Sequence, residues 1–410
     1  MMILKLAFRN ILRQKRRSLL TGLSMTGGFV ISVFSFSLTE GTYGNAIDFF
    51  TRNHTGHIQI HAGDYHKRPK VYKTIEGLDS IEALLGTENR IKSFSPRVFA
   101  PALAYSGSET SIVSVIGVNP LLESKTSRLK EKVQSGKYFD QKMTESGFFK
   151  VMIGAGVSRT LDIGVGDEIV LISQGADGST ANDLFEVVAT VGNKSSFDNM
   201  VVYLPLGAAQ EFLSIYDEVH EYALLTDDVS KSRTIANSFQ EDIDHVVDGL
   251  TVSPWQVVES SFYKSMRADQ QGNYFILGII IFLVCIGVLN TVLMSVLERT
   301  REFGVLRAIG SRPVDIFKLI FIETMLLTTL SILFGLILTI PLLIFLTQVG
   351  FLLPQPIDMG GVQLYELKGT VSSIVLIIPA LIIYIFSSLV TIIPGLRACT
   401  ITPRSAMSSH

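Results

Sequence analysis

Four of the seven histidines fall in one stretch, HTGHIQIHAGDYH, as His54, His57, His61 and His66. Imidazoles at this density raise the question of zinc or copper. On an extended strand His57 and His61 project to the same face and could approach one ligand. A metal centre also wants a third ligand and an orienting outer shell. The same pattern describes a half-exposed strand at a domain edge with histidine on its polar face, and we assign no metal site. SGKYF supplies Gly136-Lys137, but Tyr138 stands where a phosphate-binding loop needs Ser or Thr, and Glu131 where it needs glycine. G-x-S-x-G and H-E-x-x-H are absent. We expect no catalytic residues and no cofactor bound by this chain.

Two other polar residues stand inside apolar surroundings. Glu323 lies in IFKLIFIETMLLTTL, where an unpaired carboxylate costs a few kcal/mol. Lys318 is too far round a helix to be an ideal partner. Glu323 is therefore expected either at headgroup level or facing a protein group inside a helix bundle. Asn290 is milder, one amide able to bond across helices.

The elements that must hold these residues follow from hydropathy. The chain has 410 residues, 47% hydrophobic and 18% charged, with mean hydropathy +0.38. That is too apolar for an ordinary soluble protein and too polar for one wholly in lipid. A net charge of −2 excludes the basic excess of a nucleic-acid binder. Cys285 falls inside an apolar run and Cys399 follows another, so no disulfide between them is expected. Four uncharged runs, 19–38, 275–297, 324–351 and 369–396, reach the roughly 20 residues a span needs. The first, LLTGLSMTGGFVISVFSFSL, is rich in the small residues that close packing in lipid favours. Its rival reading is a cleaved signal peptide, against which stand its length and the lack of an A-x-A site.

Lys5, Arg9, Arg13, Lys15, Arg16 and Arg17 precede the first run, and Arg299, Arg301, Arg307, Arg312 and Lys318 follow the second. Only Lys368 lies between the last two. Positive charge therefore places both termini in the cytoplasm. The expected fold class is an α-helical membrane protein with four transmembrane helices and a large mixed α/β extracytoplasmic domain inserted between helices 1 and 2. Residues 1–17 form a cytoplasmic amphipathic helix, with Leu4, Phe8, Ile11 and Leu12 on one side and Lys5, Arg9 and Arg13 off it. A first span at 18–39 leads to the external domain at 40–273, and a second span occupies 274–297. A cytoplasmic segment at 298–318, a third span at 319–351, a short external loop at 352–369, a fourth span at 370–396 and a cytoplasmic tail at 397–410 complete the order.

In the external domain, GHIQIHA, SIVSVIGV, EIVLIS, LFEVVATV and MVVYLP read as strands. SIEALLG, GAAQEFLSIY and VSKSRTIANSFQEDI read as helices, and Gly164 and Gly166 as a turn feeding a strand. QGADGSTAND, 174–183, reads as a hairpin loop with its tip near Asp177-Gly178.

Between spans two and three, Phe303, Leu306, Ile309 and Gly310 recur on one side of a helix that Arg301 and Arg307 avoid. Gly310-Ser311 ends that helix, and Ser311, Pro313 and Asp315 begin the next. An apolar face with basic flanks, tied to two spans, suits docking into a groove of a cytoplasmic partner. The plainer alternative is a re-entry loop whose arginines only set topology.

ERTREFGVLRAIGSRPVDIFKLIFIETMLL resembles the most recognisable stretch of the ABC transporter permeases that include MacB, FtsX and the lipoprotein-releasing LolC and LolE subunits. The family pattern E-[FI]-G-[VI]-L-[RK]-A-[IL]-G falls on Glu302, Phe303, Gly304, Val305, Leu306, Arg307, Ala308, Ile309 and Gly310, and its later acidic residue on Glu323. LAFRNILRQKRRSLLTGLSM, VMIGAGVSRTLDIGVGDEIVLI and IIPGLRACTITPRSAM resemble its opening, external and closing segments. The resemblance implies a coupling helix, Arg301 to Gly310, docked on a separate cytoplasmic ATPase dimer that holds ATP and Mg. It further implies a second copy or a homologous permease, a lipoprotein or amphiphile cargo, a location in the bacterial inner membrane, and a periplasmic position for the large domain. In some members the loop matching 174–183 grips a periplasmic carrier. Gly175, Asp177 and Gly178 are the matching positions, in a loop that is shorter here and lacks proline. Alternatives left open are an FtsX-like signalling permease that regulates a cell-wall hydrolase, and a drug or peptide exporter.

Overall fold

The computed structural model describes residues 2–13, 15–193, 196–359 and 362–401. The segment 402–410 of the expected tail lies outside them, as do residues 360 and 361 of the expected external loop. The chain forms two compact units, Met1–Asn45 with Ser265–Met359 and Leu364–His410, and Ala46–Lys264 with Gly360–Gln363.

In chain order the helices are α1 (Met2–Arg13), α2 (Lys15–Phe50, continued by a π-turn at Thr51–Thr55), α3 (Leu78–Thr87), α4 (Pro120–Thr126), α5 (Ala155–Leu161), α6 (Leu206–Phe212), α7 (Ser232–Asp244), α8 (Trp255–Val258), α9 (Ser260–Glu298), α10 (Thr300–Ala308), α11 (Pro313–Gln348) and α12 (Ser373–Cys399). The strands are β1 (Ile58–Ala62), β2 (Ile91–Ser106), β3 (Glu109–Val118), β4 (Val133–Gly136), β5 (Phe149–Gly154), β6 (Glu168–Gln174), β7 (Thr180–Val191), β8 (Val201–Pro205), β9 (Glu221–Thr226), β10 (Leu250–Pro254), β11 (Phe351–Met359) and β12 (Val362–Leu367).

In the helical unit, α2, α9, α11 and α12 are long and apolar enough to cross a membrane. Their packing follows from small residues. A Cβ on Gly28 would meet Val284 of α9 at 2.1 Å, and one on Gly335 would meet Phe29 at 2.5 Å. Helix backbones therefore approach as closely as glycine permits. Thr26 Oγ1 donates to the Ser331 carbonyl at 3.0 Å, a bond buried between α2 and α11. The apolar contacts fall into two layers. Phe29, Val33, Leu277, Ile281, Leu343 and Ile383 build one, and Met25, Val288, Val292, Val296, Ile316 and Ile320 the other. Ala7 and Ile11 of α1 are buried while Phe8 and Leu12 are exposed. The apolar side expected for this helix is thus split, because α1 packs onto the bundle through Ala7 and Ile11.

Both α2 and α9 run past their apolar runs, α2 to Phe50 and α9 from Ser260. That adds about 18–22 Å of helix to each at 1.5 Å per residue. The segment expected as a short external loop between α11 and α12 contains a two-stranded sheet, β11 and β12.

In the other unit, β2 pairs β3, β3 pairs β8, β8 pairs β5, β5 pairs β7, β7 pairs β6, and β6 returns to β2, closing a ring. The β3–β8 and β5–β7 pairs are parallel and the others antiparallel. The sixteen-residue β2 makes closure possible. One edge pairs β9 up to Arg97 and, after a gap, β6 from Leu103. Pro101 sits in that gap, so its missing N–H forfeits no ladder bond. This proline made β2 hard to foresee. β1 lies between β10 and β9 and is buried, which corrects the expectation of a half-exposed edge strand. The strands expected at β1, β3, β6, β7 and β8, the helices at α3, α6 and α7, and the hairpin at 174–183 are all present. Gly175 N–H donates to the Ser179 carbonyl at 2.9 Å, and Gly178 supplies the left-handed turn position with φ +85°.

His57 Nδ1 accepts the Thr226 backbone N–H at 3.1 Å. His220 Nδ1 accepts the Phe99 N–H at 2.9 Å while its Nε2 lies 2.8 Å from the Val71 carbonyl. Both rings are held neutral. Burial lowers the affinity of His54, His57, His66 and His220 for a proton, His57 to about 4. The folded values lie below the unfolded value of about 6.5, so this stabilisation is complete above pH 6.5 and is lost as pH falls toward 4. For His57 alone the loss at pH 5 is roughly 2 kcal/mol. The sole tryptophan, Trp255, is 3% exposed in this unit. Its fluorescence in a urea titration should show a lower midpoint at pH 5 than at pH 7.5, with a smaller difference in His57→Gln.

Candidate functional site: a braced helix and a groove between two helices

The short helix α10 is delimited by its sequence. Arg299, with φ −98° and ψ 11°, breaks it from α9. At the other end Gly310 takes φ +101°. Ser311 N–H reaches back to the Leu306 carbonyl and Gly310 N–H to that of Arg307, a Schellman cap. Pro313 then opens α11, and Asp315 Oδ2 accepts the Arg312 N–H at 3.2 Å.

The apolar side expected to face a partner is divided. Phe303 is 1% exposed and packs with Val292, Val296, Ile316 and Ile320, and Gly304 is buried beside it. Val305, Leu306 and Ile309 are 50%, 37% and 78% exposed. Arg301, Glu302, Ala308 and Gly310 are also exposed. Arg307 is half-buried and donates to the Ser311 carbonyl at 3.3 Å. Three residues per step is less than a full turn, so the line from Phe303 to Ile309 drifts off the buried side. Phe303 anchors α10, and the residues available to a partner are Val305, Leu306 and Ile309.

Glu323 is partnered by Arg299, a residue that sequence alone marks only as a topology charge. Arg299 Nη1 donates to Glu323 Oε2 at 2.9 Å, and Arg299 Nε to Glu302 Oε2 at 3.0 Å. The guanidinium lies 5.1 Å from the Phe303 ring centroid and the residue is 7% exposed. Asn10 Nδ2 of α1 donates to the same Glu323 oxygen at 3.4 Å. Arg17 Nη2 meets Glu298 Oε1 at 2.5 Å, and Arg13 Nη1 lies 3.6 Å from Glu302. A planar guanidinium serves two carboxylates at once, which an ammonium on a single stem does less well. The available signal was an arginine at a helix break preceding an acidic residue inside a span. Asn290 stands apart from this cluster, exposed on α9, with no hydrogen-bond partner among the described residues.

Toward the opposite ends of the same helices, α2 and α9 flank a groove of about 670 Å³ lined by Ile31, Phe34, Leu38, Thr42, Met266 and Ile280, among others. Tyr43 and Asp269 also line it. The Tyr43 hydroxyl donates to Asp269 Oδ2 at 2.5 Å and accepts from Asn273 Nδ2 at 3.2 Å. The lining grades from apolar to polar, which suits an amphiphile.

In the β-rich unit, Gly175 and Gly178 line a second groove, of about 840 Å³, with Tyr72, Phe99, Pro101 and Ile112. The pKa of Asp177, at the hairpin tip, is lowered from its usual value by the Ser179 hydroxyl and N–H. The histidines do not converge. His61 Nε2 lies 3.4 Å from Glu221, His57 bonds Thr226, His54 stacks on Phe50, and His66 tilts against His61. Among the described residues no group of three or more His, Cys, Asp or Glu could hold a metal ion.

Comparison with known proteins places the chain. Residues 18–242 match the family described as MacB-like periplasmic core domain, and residues 274–403 match the FtsX-like permease C-terminal family. The lipoprotein-releasing system transmembrane protein LolE of Haemophilus influenzae is 24% identical over 352 residues, covering 82% of each chain. The macrolide export ATP-binding/permease protein MacB 2 of Aeromonas hydrophila is 25% identical over 342 residues, covering 81% of this chain and 51% of that one. This chain thus spans about half the length of that relative. The crystal structure of the periplasmic region of MacB from Actinobacillus actinomycetemcomitans aligns with a TM-score of 0.37 and 11% identity, over 50% of this chain and 91% of that one.

The two sides of α10 should separate in mutants. Phe303→Asp buries an unpaired carboxylate and should sharply lower the amount of folded protein in the membrane, whereas Ile309→Asp should leave it near wild type. Immunoblots of membrane fractions, with size-exclusion profiles of the solubilised proteins, measure the difference.

Proposed function

The chain belongs to the family of permeases that carry a MacB-like periplasmic core domain and an FtsX-like C-terminal region, and on that premise we propose that it is the permease subunit of an ABC transporter that extracts lipoproteins or other amphiphiles from the outer leaflet of the bacterial inner membrane. In this reading a separate cytoplasmic ATPase dimer, holding ATP and Mg, supplies the energy. Both termini and α10 face the cytoplasm, by the positive-inside distribution. A second copy or a homologous permease completes the unit.

One observation carries this reading. The pair α2 and α9 is tied at both ends, by Arg17–Glu298 near α10 and by Tyr43–Asp269 at the outer groove. Those ties lie roughly 40 Å apart at 1.5 Å per residue. Displacement of α10 by a nucleotide-driven partner therefore reaches the groove along two continuous helices. The groove has a volume suited to an acyl chain and a polar end suited to its attached peptide or headgroup. A regulator of a cell-wall hydrolase would share α10 and the paired helices but would have no use for such a groove, so we favour cargo.

Gentle purification from native membranes, with mass spectrometry of everything retained, tests this. We expect an ABC ATPase together with acylated proteins that crosslink to a photoreactive residue at position 31. Leu306→Asp should abolish ATPase retention while the permease stays at wild-type amount. An ATPase accompanied by a cell-wall hydrolase and no crosslinked amphiphile would replace extraction with regulation. Absence of any ATPase would overturn the docking role of α10.

A further inference from the structure

The sequence distributes its charges at the α10 end of the bundle unevenly. The carboxylates of Glu298, Glu302, Asp315 and Glu323 all have partners inside the chain. Their principal cation is Arg299. It sits at the break between α9 and α10, and its fork reaches Glu302 on α10 and Glu323 on α11. Asn10 brings α1 to the same Glu323 oxygen, and Arg13 brings α1 to Glu302.

A nine-residue helix such as α10 is marginal by itself in water. Its contact with the bundle is narrow, Phe303 and Gly304 being its only buried residues. A single aromatic side chain resists translation, but it allows rotation about its own contact. A second, directional tether removes that freedom. Arg299 supplies it with two bonds of fixed angle and with its face over the Phe303 ring at 5.1 Å.

We propose that Arg299 is a positioning residue that locks α1, α10 and α11 into one body, so that force applied to the exposed Val305–Ile309 side moves the bundle instead of swivelling α10. This rests on the reading of α10 as a partner-docking helix. It adds that α1 belongs to the moving body and that the lock is ionic. Glu323 has its place within a span because it is the fixed end of the lock.

The test uses the full chain in lipid nanodiscs and hydrogen–deuterium exchange of the amides from Glu302 to Ala308. Removing Arg299 alone would leave Glu323 unpaired and could unfold the site. The informative variant is therefore Arg299→Met with Glu323→Met, which removes both charges and keeps side-chain volume. We expect it to accumulate as wild type while α10 amides exchange at least tenfold faster, with α1 amides following. Arg299→Lys, which keeps the charge but not the fork, should fall between the two. In complexes retaining the ATPase, the double variant should keep the ATPase bound and hydrolysing but lose most cargo release per ATP. Unchanged protection of α10 in the double variant would overturn the lock whether or not the transporter reading stands. Faster exchange with cargo release per ATP unaltered would show a local brace only and would overturn the role in transmission. Failure of any ATPase to co-purify with wild type would count against the docking reading and leave the exchange result to be judged separately.

Discussion

A carboxylate inside an apolar helix end has few stable arrangements, and the way Glu323 is satisfied organises the helical unit. Ionised and alone, it would face a desolvation penalty of several kcal/mol. Arg299 meets it at 2.9 Å from the junction of two other helices, so the cost is offset only when α9, α10 and α11 hold one arrangement. Asn10 adds α1 to the requirement. The ion pair thus contributes specificity of geometry more than net stability. The Schellman cap at Gly310 and the proline start of α11 are the local devices that make the arrangement reachable by a short chain.

That fixed end matters because α2 packs tightly against both α9 and α11. Gly28 against Val284 and Gly335 against Phe29 leave no room for a methyl group. Close-packed interfaces deform as bodies, so a shift imposed beside Arg17–Glu298 is transmitted along the pair. Both helices continue beyond their apolar runs to the Tyr43–Asp269–Asn273 cluster. A hydroxyl donating to a carboxylate at 2.5 Å there ties the helices beside the groove. Two long helices thereby connect the braced α10 to the groove beside Tyr43.

The β-rich unit solves a different problem. Its ring closes only because β2 serves β9 along one half and β6 along the other. Pro101, a liability in a continuous ladder, is harmless at the changeover. The four histidines that invited a metal reading turn out to be dispersed among backbone, ring and carboxylate partners, several of them neutral by burial. For His54, His57 and His66 the consequence is sensitivity of this unit to acid, not coordination chemistry.

Hydropathy and charge alone were enough to locate the four long apolar helices, the strands of alternating pattern, the hairpin at 174–183 and the end of α10 at Gly310. Each is set by spacing along a few consecutive residues, and local backbone geometry follows from such spacing directly. What tertiary structure decided are the facts that depend on distant neighbours. Phe303 is an anchor and Ile309 a free surface because α9 and α11 cover one side of α10 only. β1 is buried because β9 and β10, more than 150 residues away in sequence, flank it. Arg299 finds Glu323 across 24 residues because a capped short helix folds the chain back. Burial and ion pairing are properties of what arrives alongside a residue, and no run of adjacent letters states that.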